Sequence, residues 1–208
     1  MITVHHLNNS RSQRILWLLE ELGLEYQIIH YQRDPITRLA PPELKAVHPL
    51  GKSPVISDGD LVVAESAAII EYLVQSYGNG KLTPKPATPA YFRYLEWLHF
   101  AEGSAMLPFL LALYTSRLGD AAAALQPRIS GEINNHLSHM NSALEGQAYL
   151  MGDEFTAADI QNSFVAEIAQ ARGLLEHYPH LASYTQRFQE RPAYQRALKQ
   201  GGEYKLGA

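Results

Sequence analysis

The sequence predicts an α/β domain followed by an all-helical domain, and three observations carry that expectation. Residues 1–77 switch between the period of two that a strand requires and the period near 3.6 that a helix requires. The stretch Asn79-Gly80-Lys81-Leu82-Thr83-Pro84-Lys85-Pro86-Ala87-Thr88-Pro89 then sets three prolines and a glycine close enough together to break either period. Beyond it, everything reads helical. We therefore expect a first domain over 1–79, a linker over 80–89 and a helical domain over 90–208.

Ile2 to His6 reads as the first strand, and Arg11 to Gly23 as a helix with Ile15, Leu18, Leu19 and Leu22 at helical spacing. Tyr26 to Tyr31 is a second strand, completing a βαβ unit. A short helix near Pro42 to Val47 precedes two strands, Val55-Ile56 and Leu61-Val62-Val63, joined across Asp58-Gly59-Asp60, which is hairpin chemistry. A helix from Glu65 to Tyr77, ended by Gly78, completes a thioredoxin-like βαβ–αββα order. In the second part we expect helices from Pro89 to about Leu118 with a kink at Pro108, from Ala121 to Glu145, and from Ala157 to Arg172 ended by Gly173. Two short helices from Leu181 close the chain. Thr156-Ala157-Ala158-Asp159 has capping-box spacing, with Phe155 and Ile160 at the staple positions, so Asp159 is assigned to folding rather than catalysis.

Composition narrows the classes of function. With 208 residues and 46% apolar side chains, the chain can bury a sizeable core as one large or two small domains. Its 17 basic residues are scattered and outnumbered by 21 acidic ones, so no basic footprint forms and no nucleic-acid partner is expected. Met1-Ile2-Thr3-Val4 begins directly with strand-like alternation, and no apolar run approaches a membrane span, so we expect a cytoplasmic protein without a membrane partner. There is no cysteine, which excludes disulfides, a thiolate nucleophile and a thiolate metal site. Any sulfur chemistry must arrive with a ligand.

One segment carries binding chemistry. Ser53-Pro54-Val55-Ile56 followed by Glu65-Ser66 reads as a turn, a strand pair and a helix that opens on an acid and a hydroxyl. Pro54 has no N–H and a fixed φ, so the strand beginning at Val55 is expected to offer an edge-like backbone to an extended, peptide-like ligand. At the helix start, Ser66 and the first amides favour a carboxylate, while Glu65 can accept an ammonium. An α-amino acid head group carries both charges. The plainer alternative is that Pro54 only starts a strand and Glu65-Ser66 only caps a helix.

The same residues carry a family resemblance. His48-Pro49-Leu50-Gly51-Lys52-Ser53-Pro54-Val55-Ile56 and then Leu61-Val62-Val63-Ala64-Glu65-Ser66-Ala67-Ala68-Ile69 resemble the glutathione-binding segment of the cytosolic glutathione S-transferase superfamily. Leu7-Asn8-Asn9-Ser10-Arg11-Ser12-Gln13-Arg14 resembles the loop after the first strand in bacterial-type, serine-type members, and Phe155-Thr156-Ala157-Ala158-Asp159-Ile160 the buried helix start of their second domain. The motifs come in the family's order and cover nearly the whole chain, including Arg191-Pro192-Ala193-Tyr194. The resemblance implies a homodimeric, detoxifying glutathione transferase whose only helper molecule is glutathione itself, as co-substrate. It implies Glu65 on the γ-glutamyl ammonium, Ser66 on its carboxylate, and Ser53 and Val55 along the cysteinyl segment after a cis Ser53-Pro54 bond. Lys52 is expected on the glycine carboxylate, with His48 a weaker candidate beside it. The second domain would line a pocket for a hydrophobic electrophile. Leu7 and Asn8 are candidate lining residues together with Met106, Phe109 and Tyr114, for which core packing is the alternative.

Glu102 interrupts an apolar stripe of Tyr91, Tyr94, Leu95, Leu98, Met106 and Phe109. The resemblance places it near a two-fold interface, where it would reach across to the other subunit's glutathione; pairing with Arg93 or a tyrosine hydroxyl is the alternative. His5-His6, His136 with His139 and His177 with His180 have paired spacing, but no thiolate or carboxylate completes a set, so no metal site is expected.

Ser10-Arg11-Ser12-Gln13 is itself a capping box, so Ser10 has a purely structural reading. The resemblance adds a catalytic one, a hydroxyl donating to the sulfur of glutathione beside a helix N-terminus, with Ser12 as the runner-up. A thiol with pKa about 8.5 is only about 3% ionised at pH 7, and lowering that value by roughly two units corresponds to about 2.7 kcal/mol. One hydrogen bond to a charged group supplies roughly 1.5–3 kcal/mol, so a hydroxyl and a helix end suffice without a protein base. Conjugation and reduction of organic hydroperoxides both start from that thiolate, whereas thiol–disulfide exchange would need a cysteine the chain lacks. A non-catalytic binding module or scaffold on the same fold is the alternative function.

Overall fold

The structure, a computed structural model, describes residues 1–206. β1 (Ile2–Leu7), α1 (Ser12–Leu22) and β2 (Tyr26–Tyr31) form the βαβ unit with its strands parallel. After α2 (Leu44–Val47), β3 (Val55–Asp58) and β4 (Leu61–Ala64) fold back on each other through Gly59, whose φ of 58° favours a residue without a side chain, and α3 (Ser66–Tyr77) follows. The hydroxyl of Tyr72 donates to Asp58 Oδ2 at 2.8 Å and that of Tyr77 to the same oxygen, which ties α3 to the hairpin.

The sheet order is β2-β1-β3-β4, with β3 antiparallel to both neighbours. Val55 stands opposite His5 on one side and Ala64 on the other and is fully buried. This overturns the expectation of an edge-like strand at Val55: the hairpin folds β4 over the outer side of β3, and the edges fall to β2 and β4. Ser53, before the cis Ser53-Pro54 bond, lies outside the paired register.

α1 departs from the expected one-sided helix. Ser12 to Leu19 are all buried, because Leu16 and Trp17 add apolar surface beside the face made by Ile15, Leu18 and Leu19. The sheet covers one side and the end of the chain covers the other: Trp17 meets the ring of Phe188 at 5.5 Å and the ring of Tyr194 edge-on at 5.1 Å. Accordingly the chain divides into one compact unit of residues 1–83 plus 187 onward and another of Pro84–Gln186. The single boundary expected near 80–89 is thus joined by a return of the last segment to the first unit.

The second unit is helical, with α4 (Pro89–Phe100), a π-helical turn (Ala101–Ala105), α5 (Met106–Thr115), a 3-10 stretch (Ser116–Leu125), α6 (Gln126–Ala143) and α7 (Ala157–Ala171). α8 (Pro179–Gln189) leads into the return, which ends in α9 (Pro192–Gly201). The expected kink at Pro108 appears upstream as the π turn, because proline offers no N–H to the carbonyl four residues back and crowds it, and a wider turn absorbs the misfit. The helix expected from Ala121 starts instead at Gln126. Gly119, at φ 52° and ψ −133°, interrupts the run, Ala121–Ala124 lie in 3-10 geometry, and Pro127 occupies the first turn of α6, where its missing N–H costs nothing. Among the described residues no helix is long and apolar enough to cross a membrane.

Asp159 performs the expected capping role and more. Its Oδ2 accepts from the Thr156 amide at 2.8 Å, and its Oδ1 accepts from the amide of Leu150 at 2.9 Å, nine residues upstream. Burial pushes its carboxyl up to about 6, partly offset by the amides that favour the charged form. The folded value exceeds the unfolded one of about 3.9, so the folded chain holds this proton more tightly and the group makes stability fall as pH rises from about 4 to about 6. Asp159→Ala should remove that slope and, by stranding two buried amides, lower the unfolding free energy at pH 7 by about 2–4 kcal/mol, as measured by denaturant titration at pH 4.5 and 7.

Candidate active site

The loop between β1 and α1 brings two hydroxyls together at the start of the helix. Ser10 Oγ accepts from the Ser12 amide at 3.2 Å and lies 2.8 Å from Ser12 Oγ. The expected capping box does not form: Ser10 Oγ takes the amide of Ser12 rather than that of Gln13, whose N–H goes to the Ser10 carbonyl, and the buried Gln13 side-chain amide has no hydrogen-bond partner and lies against Gly201. Ser12 is completely enclosed and Ser10 is 4% exposed, so Ser10 is the outer hydroxyl of the pair.

Behind them stands His6, weighed in the sequence only as half of a metal pair. Its Nδ1 lies 2.8 Å from Ser12 Oγ, and the ring packs against Gly201 at the end of α9. Burial first, and then the neighbouring His30, push its pKa down to about 4, so the ring is neutral at pH 7. His6 near the end of β1 and Ser12 at the start of α1 are joined by a short loop, and that closeness in sequence is the signal that could have found the pair.

The loop itself is clamped. Asn8 Oδ1 accepts from the Arg33 amide at 2.9 Å, and Asn9 Oδ1 accepts from the Lys205 amide at 2.6 Å. Leu7 is buried, and its amide and carbonyl bond Ser53 Oγ and Ser12 Oγ, at 3.4 Å and 3.2 Å. Leu7 and Asn8 thus build the loop more than they line a surface.

Glu65 takes φ 70° and ψ 120°, a backbone that L residues rarely adopt, and its exposed side chain makes no capping bond to α3. Ser66, in the first turn of α3, is buried, and its Oγ accepts from Nη1 of the enclosed Arg14 at 3.3 Å, so α1 and α3 are linked at their N-terminal ends. Ser53 Oγ donates to the His5 carbonyl at 2.9 Å, fixing the turn before Pro54. Lys52 is exposed. The ring of His48 accepts from the Leu50 amide at 3.4 Å, which makes it a turn-forming residue.

In the second unit, Met106 and Phe109 are buried, as core packing requires, and Tyr114 is 66% exposed. Glu102 sits half-buried on the π-helical turn. Among the described residues no three His, Asp or Glu side chains gather as a metal site.

Comparison with known proteins identifies the family. Residues 1–75 match the model for the glutathione S-transferase N-terminal domain and residues 101–192 that for the C-terminal domain. The chain is 35% identical to glutathione S-transferase 3 of Schizosaccharomyces pombe, over 93% of this chain and 85% of the relative. The chain belongs to the glutathione S-transferase family. It is an enzyme of that family, whose members take glutathione as co-substrate. Glutathione S-transferase 1 of Saccharomyces cerevisiae is 30% identical over 93% of the transferase and 92% of the relative. The crystal structure of a glutathione S-transferase from Actinobacillus pleuropneumoniae superposes with a TM-score of 0.90 at 38% identity, covering 100% of this chain and 95% of that one.

In the transferase, Gly201 of α9 packs closely against α1 and His6. A Cβ there would lie 2.6 Å from Gln13 Oε1, 3.0 Å from Leu16 Cδ1 and 3.2 Å from His6 Cε1. Gly201→Ala should cost about 1–3 kcal/mol through overpacking, measured as a lowered denaturation midpoint with unchanged slope.

Proposed function

We propose that the first unit binds the γ-glutamyl zwitterion of glutathione between Glu65 and Ser66 and holds its sulfur as thiolate at Ser10, ready to attack a hydrophobic electrophile or an organic hydroperoxide. The observation that carries this reading is Glu65. A non-glycine residue held at φ 70° without capping its own helix is strain that folding alone does not require, and it leaves a carboxylate beside the N-terminal amides of α3. Acid and helix end together suit an ammonium and a carboxylate on one carbon. Ser53, rather than the interior Val55, is the backbone that we assign to the cysteinyl segment, with exposed Lys52 toward the glycine carboxylate. Ser10 supports the thiolate assignment as the outer hydroxyl at the start of α1, where amides and dipole favour a negative sulfur.

We also propose a homodimer, supported by the adjacent exposed apolar side chains Leu61 (45%) and Val62 (43%) on the edge strand β4. Sedimentation at the monomer mass would remove it.

Two substitutions test the site. Ser10→Ala should cost about 1 kcal/mol of stability as a lost cap and, if about 2 kcal/mol of thiolate stabilisation goes with it, slow conjugation at pH 7 about thirtyfold, with recovery as pH rises. A wild-type ultraviolet thiolate titration and wild-type turnover in Ser10→Ala would sink the catalytic assignment. Glu65→Gln should weaken glutathione binding about tenfold or more while the fold survives, and an unchanged dissociation constant by calorimetry would take Glu65 out of the site.

A further inference from the structure

We propose that Arg33 is a positioning residue for the reaction: its guanidinium holds the two peptide carbonyls that precede Ser10 and so sets where the Ser10 hydroxyl stands. This rests on the assignment of the sulfur to Ser10. Nε of Arg33 donates to the Asn8 carbonyl at 3.2 Å and Nη2 to the Asn9 carbonyl at 3.3 Å, while Nη1 donates to the Arg38 carbonyl at 3.0 Å. One half-buried side chain thus ties the loop that carries Ser10 to the loop that follows β2.

The end of the sheet explains why a guanidinium is needed there. Pairing between β1 and β2 runs one rung past Leu7, with the Asn8 amide on the Tyr31 carbonyl at 3.2 Å. A further parallel rung would bring the Arg33 amide to the Asn8 carbonyl, but that amide donates to Asn8 Oδ1 at 2.9 Å, and the carbonyl is released from the ladder. Asn9 then turns the chain with φ 50°, in the left-handed region, and its carbonyl too lies outside the ladder. Two successive carbonyls between β1 and Ser10 are left for another donor to fix. Nε and Nη2 lie along one edge of a planar group, so a single side chain fixes both, which the point charge of a lysine ammonium cannot reproduce.

Two further contacts brace the clamp. The Arg38 carbonyl is presented by a turn in which Asp34 Oδ1 accepts from the amides of Ile36 and Thr37, at 3.0 Å and 2.6 Å, and the Asp34 carbonyl accepts from the Arg38 amide at 2.9 Å. The Lys205 amide holds Asn9 Oδ1 at 2.6 Å. Starting α1 does not call for any of this, because Ser10 Oγ takes the Ser12 amide within its own turn. What the clamp adds is a fixed approach of the hydroxyl to a sulfur, where a misplacement of about 1 Å costs up to about a hundredfold in rate. Arg33 on this account acts through Ser10 and not on the ligand.

Arg33→Met keeps the apolar stem and removes the donors, and an ultraviolet titration of bound glutathione reads the consequence. The thiol midpoint should rise by about one pH unit and kcat for conjugation at pH 7 should fall about tenfold, with KM for glutathione changed less than about twofold. The calorimetric dissociation constant of S-methylglutathione, which has no thiol to ionise, should stay within the same twofold. In a Ser10→Ala background Arg33→Met should shift the midpoint no further. Arg33→Lys, which keeps the charge without the fork, should give about half the shift, and it decides the question if Arg33→Met does not fold. A wild-type midpoint in either variant, an additive shift in Ser10→Ala, or a loss of S-methylglutathione affinity as large as the loss of rate overturns the clamp while the functional reading stands. If glutathione does not bind, or Ser10→Ala itself titrates as wild type, the functional reading fails and the role of Arg33 with it.

Discussion

Glu21 and Arg191 stand 170 positions apart, and the ion pair between them, at 2.6 Å, marks the packing on which the rest of the first unit depends. α1 is apolar on more faces than the sheet can cover. Without the return of the chain end, Trp17 would be left without the rings of Phe188 and Tyr194. That cover is a hydrophobic necessity before it is an electrostatic one: burying an aromatic side chain stabilises by about 1.5–3 kcal/mol, whereas a partly exposed ion pair contributes less and mainly fixes register. Arg191 with Glu21 and Arg196 with Glu20 set that register, and the register in turn brings Gly201 against His6.

The chemistry follows from the same cover. A histidine at a strand end would ordinarily be half in water and would titrate near neutrality. Beneath α9 it is buried and neutral at pH 7. The enclosed Arg14 behind Ser66 and the N-terminus of α1 beside Ser10 both make this end of the unit favourable to negative charge.

Much of the fold was legible because its signals are local. Gly23 at φ 67° ends α1, Asp58-Gly59-Asp60 turns the hairpin, and Asp159 caps α7, each of them a preference expressed within a few residues. The misreadings were also local, but they involved competition between neighbours. Ala121–Ala124 would favour an α-helix on propensity alone, yet Gly119 and Pro127 on either side decide where the helix can begin. At Pro108 the strain was foreseen, but its relief moved one turn upstream, since backbone hydrogen bonds reach back four residues.

The sequence by itself determined the two classes of secondary structure, their order, the absence of protein sulfur nucleophiles and the family motifs around Ser10, Ser53, Glu65 and Ser66, all of which depend on residue type and short spacing. Only the tertiary structure decided that Val55 is interior, that His48 serves its own turn, that the chain end belongs with its beginning, and that His6 stands behind Ser12. Strand order, burial and hydrogen-bond partners across many positions depend on which surfaces meet when the chain closes. The local pattern of residues around His6 is compatible with solvent, with a metal and with a serine, and the fold of α9 over α1 selects among them.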